Sequence, residues 1–314
     1  MAEVPNPHPP VVAPTDEARH DPGPEPLWNE SWYADVADPG GGFGAWLRFG
    51  LYPNRSQTWF QLTVAGPDRP LVTLHDETAP LAGGDGQSLV TGTWACELSA
   101  EVPLERWRVQ ASGTAQTFTD PTAVYRRETG VATPVEVDLT WHTEGEPYHY
   151  GVATRYEVSA RVTGTIRVGD EVIEVDAPGQ RDHSWGVRDW WAFGWCWSAG
   201  ALDDGTRFHL SDIRFPRGAA GFGYRLDPDG TRTPASRIAA TEQVDDVGFP
   251  VSAALGLEPG DLALAVEPLA FSPLLFVADD GRVTRFPRAL CRYTTPDGRT
   301  GTGWTEWNQL EEQP

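Results

Sequence analysis

Apolar residues recur at every second position in short runs along this chain, and the runs stop at Gly, Pro, Asn or Asp. "GAWLRFGLY" (44–52) ends in Pro-Asn, "TWFQLTVAG" (58–66) in Pro-Asp, and "RYEVSARVTGTIRV" (155–168) in Gly-Asp. A period of two marks a strand, while the 3.6-residue period of an amphipathic helix is missing over any long stretch. "EVIEVDAPG" (171–179) reads as the hairpin partner of "TGTIRV" across Gly169-Asp170. The runs "WCWSAGAL", "TRFHLSDIRF", "AGFGYRL", "LALAVEPL" and "VTRFPRALCRYTT" follow, with Asp-Gly turns at 204–205, 229–230, 280–281 and 297–298. Many short strands joined by tight turns predict an all-β fold of antiparallel barrels or sandwiches. A chain of 314 residues has room for two such domains. The expected division runs from 26 to 182 and from 183 to 314, after a Pro-rich tail at 1–25 that lacks apolar periodicity and is expected to be disordered with few contacts.

Charge narrows the functional classes. The net charge is −21, and every one of the 24 basic residues is arginine. Such a surface repels phosphate backbones and anionic lipids, so neither nucleic acid nor membrane insertion is expected. Without lysine there is no Schiff-base amine and no Walker-type phosphate site. There is no basic, apolar leader and no run of eighteen apolar residues, so a cytoplasmic protein is expected. Cys96, Cys196 and Cys291 lack CxxC spacing and read as buried free thiols. "GGGFG" and "GFGYRL" lack the strand–GxGxxG–helix context of a dinucleotide site, and no nucleophile elbow or HExxH occurs, so no cofactor is expected.

The chemistry concentrates in "GQRDHSWGVRDWWAFGWCWSAG" (179–200), which holds Trp185, Trp190, Trp191, Trp195 and Trp197 around Arg181, Asp182, His183, Arg188 and Asp189. On a strand Asp182, Ser184 and Gly186 share one face, and His183 and Trp185 the other. A carboxyl group against indole rings loses solvation and stays protonated nearer neutrality, while a nearby arginine pulls the other way. Electron-rich indole faces also stabilise cations, so an acid in this wall suits alkene protonation. The bland alternative is a set of Arg-Asp pairs fixing a domain junction, with the tryptophans as core. His8 and His20 fall in the tail. His75 with Asp76 and Glu77, and His142 with Glu144, Glu146 and His149, sit in polar segments that read as solvated turns, so no metal is expected. His209 alternates with Phe208 and Leu210 on a strand.

"TGTIRVGDEVIEVDAPGQRDHSWGVRDWWAF" and the following "ALDDGTRFHLSDIR" resemble the lipocalin-like hydroxyneurosporene synthase (carotenoid hydratase) and AttH-like superfamily. "NESWYADVADPGGGFGAWLRFGLYPN" (29–54) and "GTGWTEWNQ" (301–309) are similar to an actinobacterial branch of it. The resemblance covers nearly everything after residue 26. It implies two lipocalin-like β-domains side by side, with a ligand cavity in or between them. Relatives hydrate isoprenoid double bonds without a cofactor, and fungal pericyclases share the architecture. With the residues read above, the leading expectation is an enzyme that protonates an apolar isoprenoid or polyene. Asp182 would be its general acid, with His183 and Asp189 orienting it or delivering water. Trp185, Trp190, Trp191, Trp195 and Trp197 would form the wall, with Tyr33, Trp46, Trp304 and Glu306 as further candidates. A carrier of a lipophilic metabolite and a pericyclase are the alternatives. The sequence is silent on oligomeric state.

Overall fold

The computed structural model describes residues 11–311, in which strands are joined by turns and three short 3-10 segments, with no α-helix among the described residues. The first sheet comprises β1 (Trp28–Ala37), β2 (Gly44–Tyr52), β3 (Gln57–Gly66), β4 (Arg69–Pro80), β5 (Ser88–Val90), β6 (Trp94–Val102), β7 (Arg106–Phe118), β8 (Val131–Thr143), β9 (Tyr148–His149), β10 (Arg155–Val168) and β11 (Glu171–Val187). Its order is β4-β3-β2-β1-β11-β10-β8-β7-β6-β5, with β9 beside β10, and pairing of β4 with β7 closes it into a barrel. The hairpin read from the sequence is present. Val168 stands opposite Glu171, and Gly169 takes φ +58°, a region that glycine reaches without strain.

The second sheet comprises β12 (Gly194–Leu202), β13 (Arg207–Phe215), β14 (Gly218–Leu226), β15 (Arg232–Ala235), β16 (Arg237–Val244), β17 (Pro250–Glu258), β18 (Leu262–Val277), β19 (Val283–Thr294) and β20 (Thr300–Leu310). Its order is β15-β14-β13-β12-β20-β19-β18-β17-β16, and every pairing in both sheets is antiparallel.

Each sheet fills its own interior. Alternation sends Trp32 and Val36 of β1, Phe49 of β2, Trp107 of β7 and Trp141 of β8 into the first barrel, where they are fully buried. Phe208, Leu264, Tyr293 and Trp307 form the corresponding buried cluster of the second sheet. A third apolar cluster lies between the sheets and joins Tyr33, Trp46 and Trp59 to Trp197, Phe286 and Trp304, with Trp190 and Trp191 from the connecting segment. Indole N–H groups staple this junction. Trp46 donates to the Ser272 hydroxyl at 2.9 Å, Trp304 to the Val36 carbonyl at 3.1 Å, and Trp197 to Glu157 at 3.1 Å. A buried indole N–H gains by finding an acceptor, so each staple fixes position as well as burying area.

Three expectations are corrected. A break after residue 182 falls inside β11, because residues 183–187 pair with β1 from Trp28 to Trp32, and the chain leaves the first sheet only after Val187. Of the expected tail, residues 1–10 lie outside the described residues, but 11–25 make specific contacts. Glu17 is 3% exposed and pairs with buried Arg181 at 2.6 Å, and Val12 packs on Tyr156 and Val158. Mean composition missed this because one buried ion pair and a few contacts are enough to dock a segment. Finally, His75, His142 and His149 stand on β4, β8 and β9 rather than in turns. Asp76 and Glu77 share β4 with His75, whereas Glu144 and Glu146 do lie in the loop between β8 and β9.

Candidate active site

Strand register builds the site from two rows of side chains. On the first sheet Arg48 (β2) stands opposite Tyr33 (β1), Tyr33 opposite Asp182 (β11), and Asp182 opposite Glu157 (β10). Cross-strand partners share a face, so these four polar residues project together toward the second sheet. There Phe222 (β14), Ser211 (β13), Trp197 (β12) and Glu306 (β20) form the answering row. Between the rows lies a cavity of about 710 Å³ whose wall is mostly apolar, with Trp190, Phe193, Trp195 and Ile213 beside Arg155, Asp182, Arg188 and Arg288. A few hundred cubic ångströms is the scale of a small-molecule site.

Two buried carboxylates share one arginine here and differ in ionisation. Arg155 Nε donates to Glu157 Oε1 at 2.9 Å, and its Nη2 donates to Asp182 Oδ2 at 2.7 Å. Burial works against the charge on Glu157, but His209, Arg155 and hydrogen bonds from Gln180 (3.0 Å) and Trp197 (3.1 Å) hold its carboxyl below the usual range. Asp182 has the single bond from Arg155 among the described residues. Burial pushes it up to about 7, and the Arg155 guanidinium only partly opposes that, with the Glu157 charge adding to the rise. Carboxyl groups driven apart in this way divide into an acid and a fixed anion. Tyr150 completes the layer, its hydroxyl lying 3.0 Å from Glu157, 2.8 Å from His209 Nε2 and 2.9 Å from Ser211 Oγ.

The sequence-derived candidates separate into those at the cavity and those elsewhere. Asp182, Asp189, Tyr33, Trp190, Trp195, Trp197 and Glu306 line it. Glu306 pairs with Arg288 and accepts the Trp195 indole N–H at 2.8 Å. Arg288 in turn lies over Tyr33 and Trp46, at 4.5 and 4.6 Å from the ring centroids. Asp189 is held by Arg282 at 3.2 Å and accepts the Trp191 backbone N–H at 3.0 Å, so it braces the connecting segment. His183 and Trp185 are on the opposite face of β11. The His183 ring nitrogens lie 2.7 Å from the Asp16 carbonyl and 3.0 Å from Glu30 Oε1, and Trp185 stacks on His20 at 3.7 Å. Trp46 and Trp304 are junction staples, and Trp191 donates to the Phe276 carbonyl at 3.2 Å.

Reading the sequence alone missed Arg48, Arg155, Glu157, Tyr150 and Arg288. For Arg155 and Glu157 a signal existed, since positions 155, 157 and 159 are polar while 156, 158 and 160 are apolar or small. His20, Glu30 and His183 form the one group among the described residues with three metal-ligating atoms within 4.8 Å. Glu30 already accepts from the His20 backbone and Nδ1 and faces His183 Nε2, which makes a hydrogen-bonded lock.

Two lipocalin-type β-domains side by side with a cavity at their junction define the AttH-like class of fold. Among solved structures the chain is similar to an AttH-type protein from Nitrosomonas europaea, at 16% identity and TM-score 0.62, over 96% of this chain and 98% of that one. It is similar to kievitone hydratase from Nectria haematococca at 12% identity and TM-score 0.61, over 95% and 93%. CghA matches at 13% identity and TM-score 0.56, over 91% and 88%. At these identities the likeness establishes the fold. The chain belongs to the family described as a domain of unknown function, DUF7064, whose model matches residues 13–311. No curated protein matches it.

Proposed function

We propose that the protein is a cofactor-independent enzyme that protonates a double bond of an apolar isoprenoid or polyene, leading to hydration, cyclisation or isomerisation. The observation that carries this reading is Asp182, a buried carboxyl pushed up to about 7 at the wall of a mostly apolar cavity. Its O–H bond breaks, the proton bonds to one alkene carbon, and the other carbon becomes cationic. Arg155 holds the carboxylate left behind. In hydration, water oxygen bonds to the cation and returns a proton to Asp182, which restores the acid. Trp190, Trp195 and Trp197 exclude bulk water and offer their faces to the developing charge. The likeness to kievitone hydratase supports a hydratase-type activity for this architecture.

A second reading is favoured by one observation. Glu157 binds Arg155 on its own sheet and Trp197 on the other, so Asp182 could belong to a junction clamp in a non-catalytic carrier of the same ligand. Asp182→Asn separates the two, because it keeps the shape and removes the proton. With a panel of isoprenoid alkenes assayed by mass spectrometry, the enzyme reading expects turnover to fall by roughly 10²–10⁴-fold, with melting temperature and ligand affinity nearly unchanged. Turnover equal to the parent's removes the acid role. Loss of the folded state makes Asp182 a clamp and favours the carrier.

A further inference from the structure

We infer that the ligand of this cavity carries a carboxylate, held by Arg48 and Arg188 where they stack on Trp190. The inference rests on the cavity being the ligand site proposed above. The chain has 45 acidic residues against 24 arginines, and most arginines have a carboxylate partner. Of the others, Arg127 and Arg217 are exposed to solvent and Arg19 is half-buried outside the cavity. Arg48 and Arg188 make no ion pair among the described residues. The Arg48 guanidinium lies 5.0 Å from the Trp190 ring centroid, and that of Arg188 lies 5.3 Å from the same ring. Both residues line the cavity.

Arg48 is only 9% exposed, and neither of its terminal nitrogens has a hydrogen-bond partner. Its guanidinium fills the space left by Gly50, where a Cβ would come within 2.5 Å of Nη1. For Arg188 the structure gives one side-chain bond, from Nη2 to the Ser184 hydroxyl at 3.2 Å. Burial, with Arg155 and Arg48 adding repulsion, pushes the Arg188 guanidinium down to about 10.

The other charges at the wall are accounted for. Arg155 serves Glu157 and Asp182, Arg288 serves Glu306, and Asp189 is held by Arg282. Two positive charges therefore remain without a partner, and a buried charge left so is unfavourable until an anion arrives. Guanidinium is planar and offers paired N–H donors, which match a carboxylate. A diphosphate would bring more negative charge than two arginines offset. Phe193, Ile213 and Phe222 of the same wall suit the apolar remainder. The assignment also eases a difficulty in the proposed chemistry, because two unpaired guanidinium groups oppose a carbocation and a bound carboxylate offsets one of their two charges.

The test compares 11-(dansylamino)undecanoic acid with its methyl ester at pH 8, followed by dansyl fluorescence on the intact protein. The acid should bind roughly tenfold or more tightly, as a charge-assisted hydrogen bond implies. Arg188→Gln, at a half-buried position in the connecting segment, and Arg48→Met should each shrink that preference toward unity. Equal affinities in the parent protein, or a preference that survives both substitutions, overturn the inference. Dodecyl phosphate that displaces the acid probe at tenfold lower concentration than dodecanoic acid would also overturn it, in favour of a phosphate ligand. Good binding of the ester without preference for the acid refutes the carboxylate alone and leaves the apolar cavity standing. Loss of turnover in Asp182→Asn tests the enzyme reading independently.

Discussion

The two faces of β11 carry the same short stretch of sequence into different work. Arg181, His183 and Trp185 point to the first barrel's side, and there the polar groups are closed off. Glu17 meets Arg181 through two contacts, at 2.6 and 3.2 Å, while His183 is held between the Asp16 carbonyl and Glu30. Gln180, Asp182 and Ser184 point to the second sheet, where Asp182 meets a cavity and has one hydrogen bond among the described residues. Adjacent residues on a strand are separated by the sheet itself. A motif read as one acid–base pair is therefore a lock on one face and a candidate acid on the other.

The sharpest way to break this comparison is to attack the lock. Arg181 is 2% exposed and Glu17 3%, so Arg181→Met leaves a buried carboxylate without its partner. Breaking such a pair costs about 3–5 kcal/mol. Urea denaturation should show that loss, and Glu17→Gln should show a comparable one. A change below about 1 kcal/mol would mean that the segment before β1 is not a structural part of the barrel.

A smaller effect is expected on the other face, and it depends on pH. Asp182 faces Arg155 and Glu157 from β10, Arg48 from β2, Arg188 from the connecting segment, and Tyr150. Its folded value near 7 lies above the ordinary carboxylate value of about 4. The folded state therefore holds a proton that the unfolded state has released. That contribution to stability is fully present below about pH 4 and is lost as pH rises toward 7. Asp182→Asn removes it, so the variant should lose less stability than the parent between pH 5 and 7.5. Asp35, also raised to about 7 by burial, stays in both proteins and cancels. Urea midpoints at the two pH values check the sign, and parallel pH profiles would show that Asp182 is ionised in the folded protein.

The fold was legible because period-two alternation and Asp-Gly turns are local signals, and the hairpin at Gly169-Asp170 could be placed to the residue. The site was legible only in part. Asp182 and the tryptophans announced themselves by composition, but Arg48, Tyr33 and Glu157 join Asp182 through register across four strands, and no local pattern encodes which strand lies beside which. Arg288 was hidden for the same reason, since it reaches Tyr33 and Trp46 from the other sheet. The docked segment around Glu17 was misread because its Pro-rich average concealed a single partner for Arg181.

The smallest expected effect sharpens the comparison within the tryptophans themselves. Trp185 and Trp197 belong to the same aromatic stretch, yet Trp185 stacks on His20 with ring planes 9° apart, while Trp197 lines the cavity and donates to Glu157. Trp185→Leu removes one stacked pair on the lock side, worth about 0.5–1.5 kcal/mol, and should leave the affinity for an apolar probe where it was. Trp197→Leu removes cavity wall and one of the hydrogen bonds to Glu157 Oε1, which keeps those from Arg155 and Tyr150, so it should weaken probe binding as well as stability. Thermal melts and fluorescence titration of both variants give the four numbers needed. If Trp185→Leu weakened probe binding as much as Trp197→Leu, the two faces of β11 would be one functional unit, and the separation of lock from acid would fail.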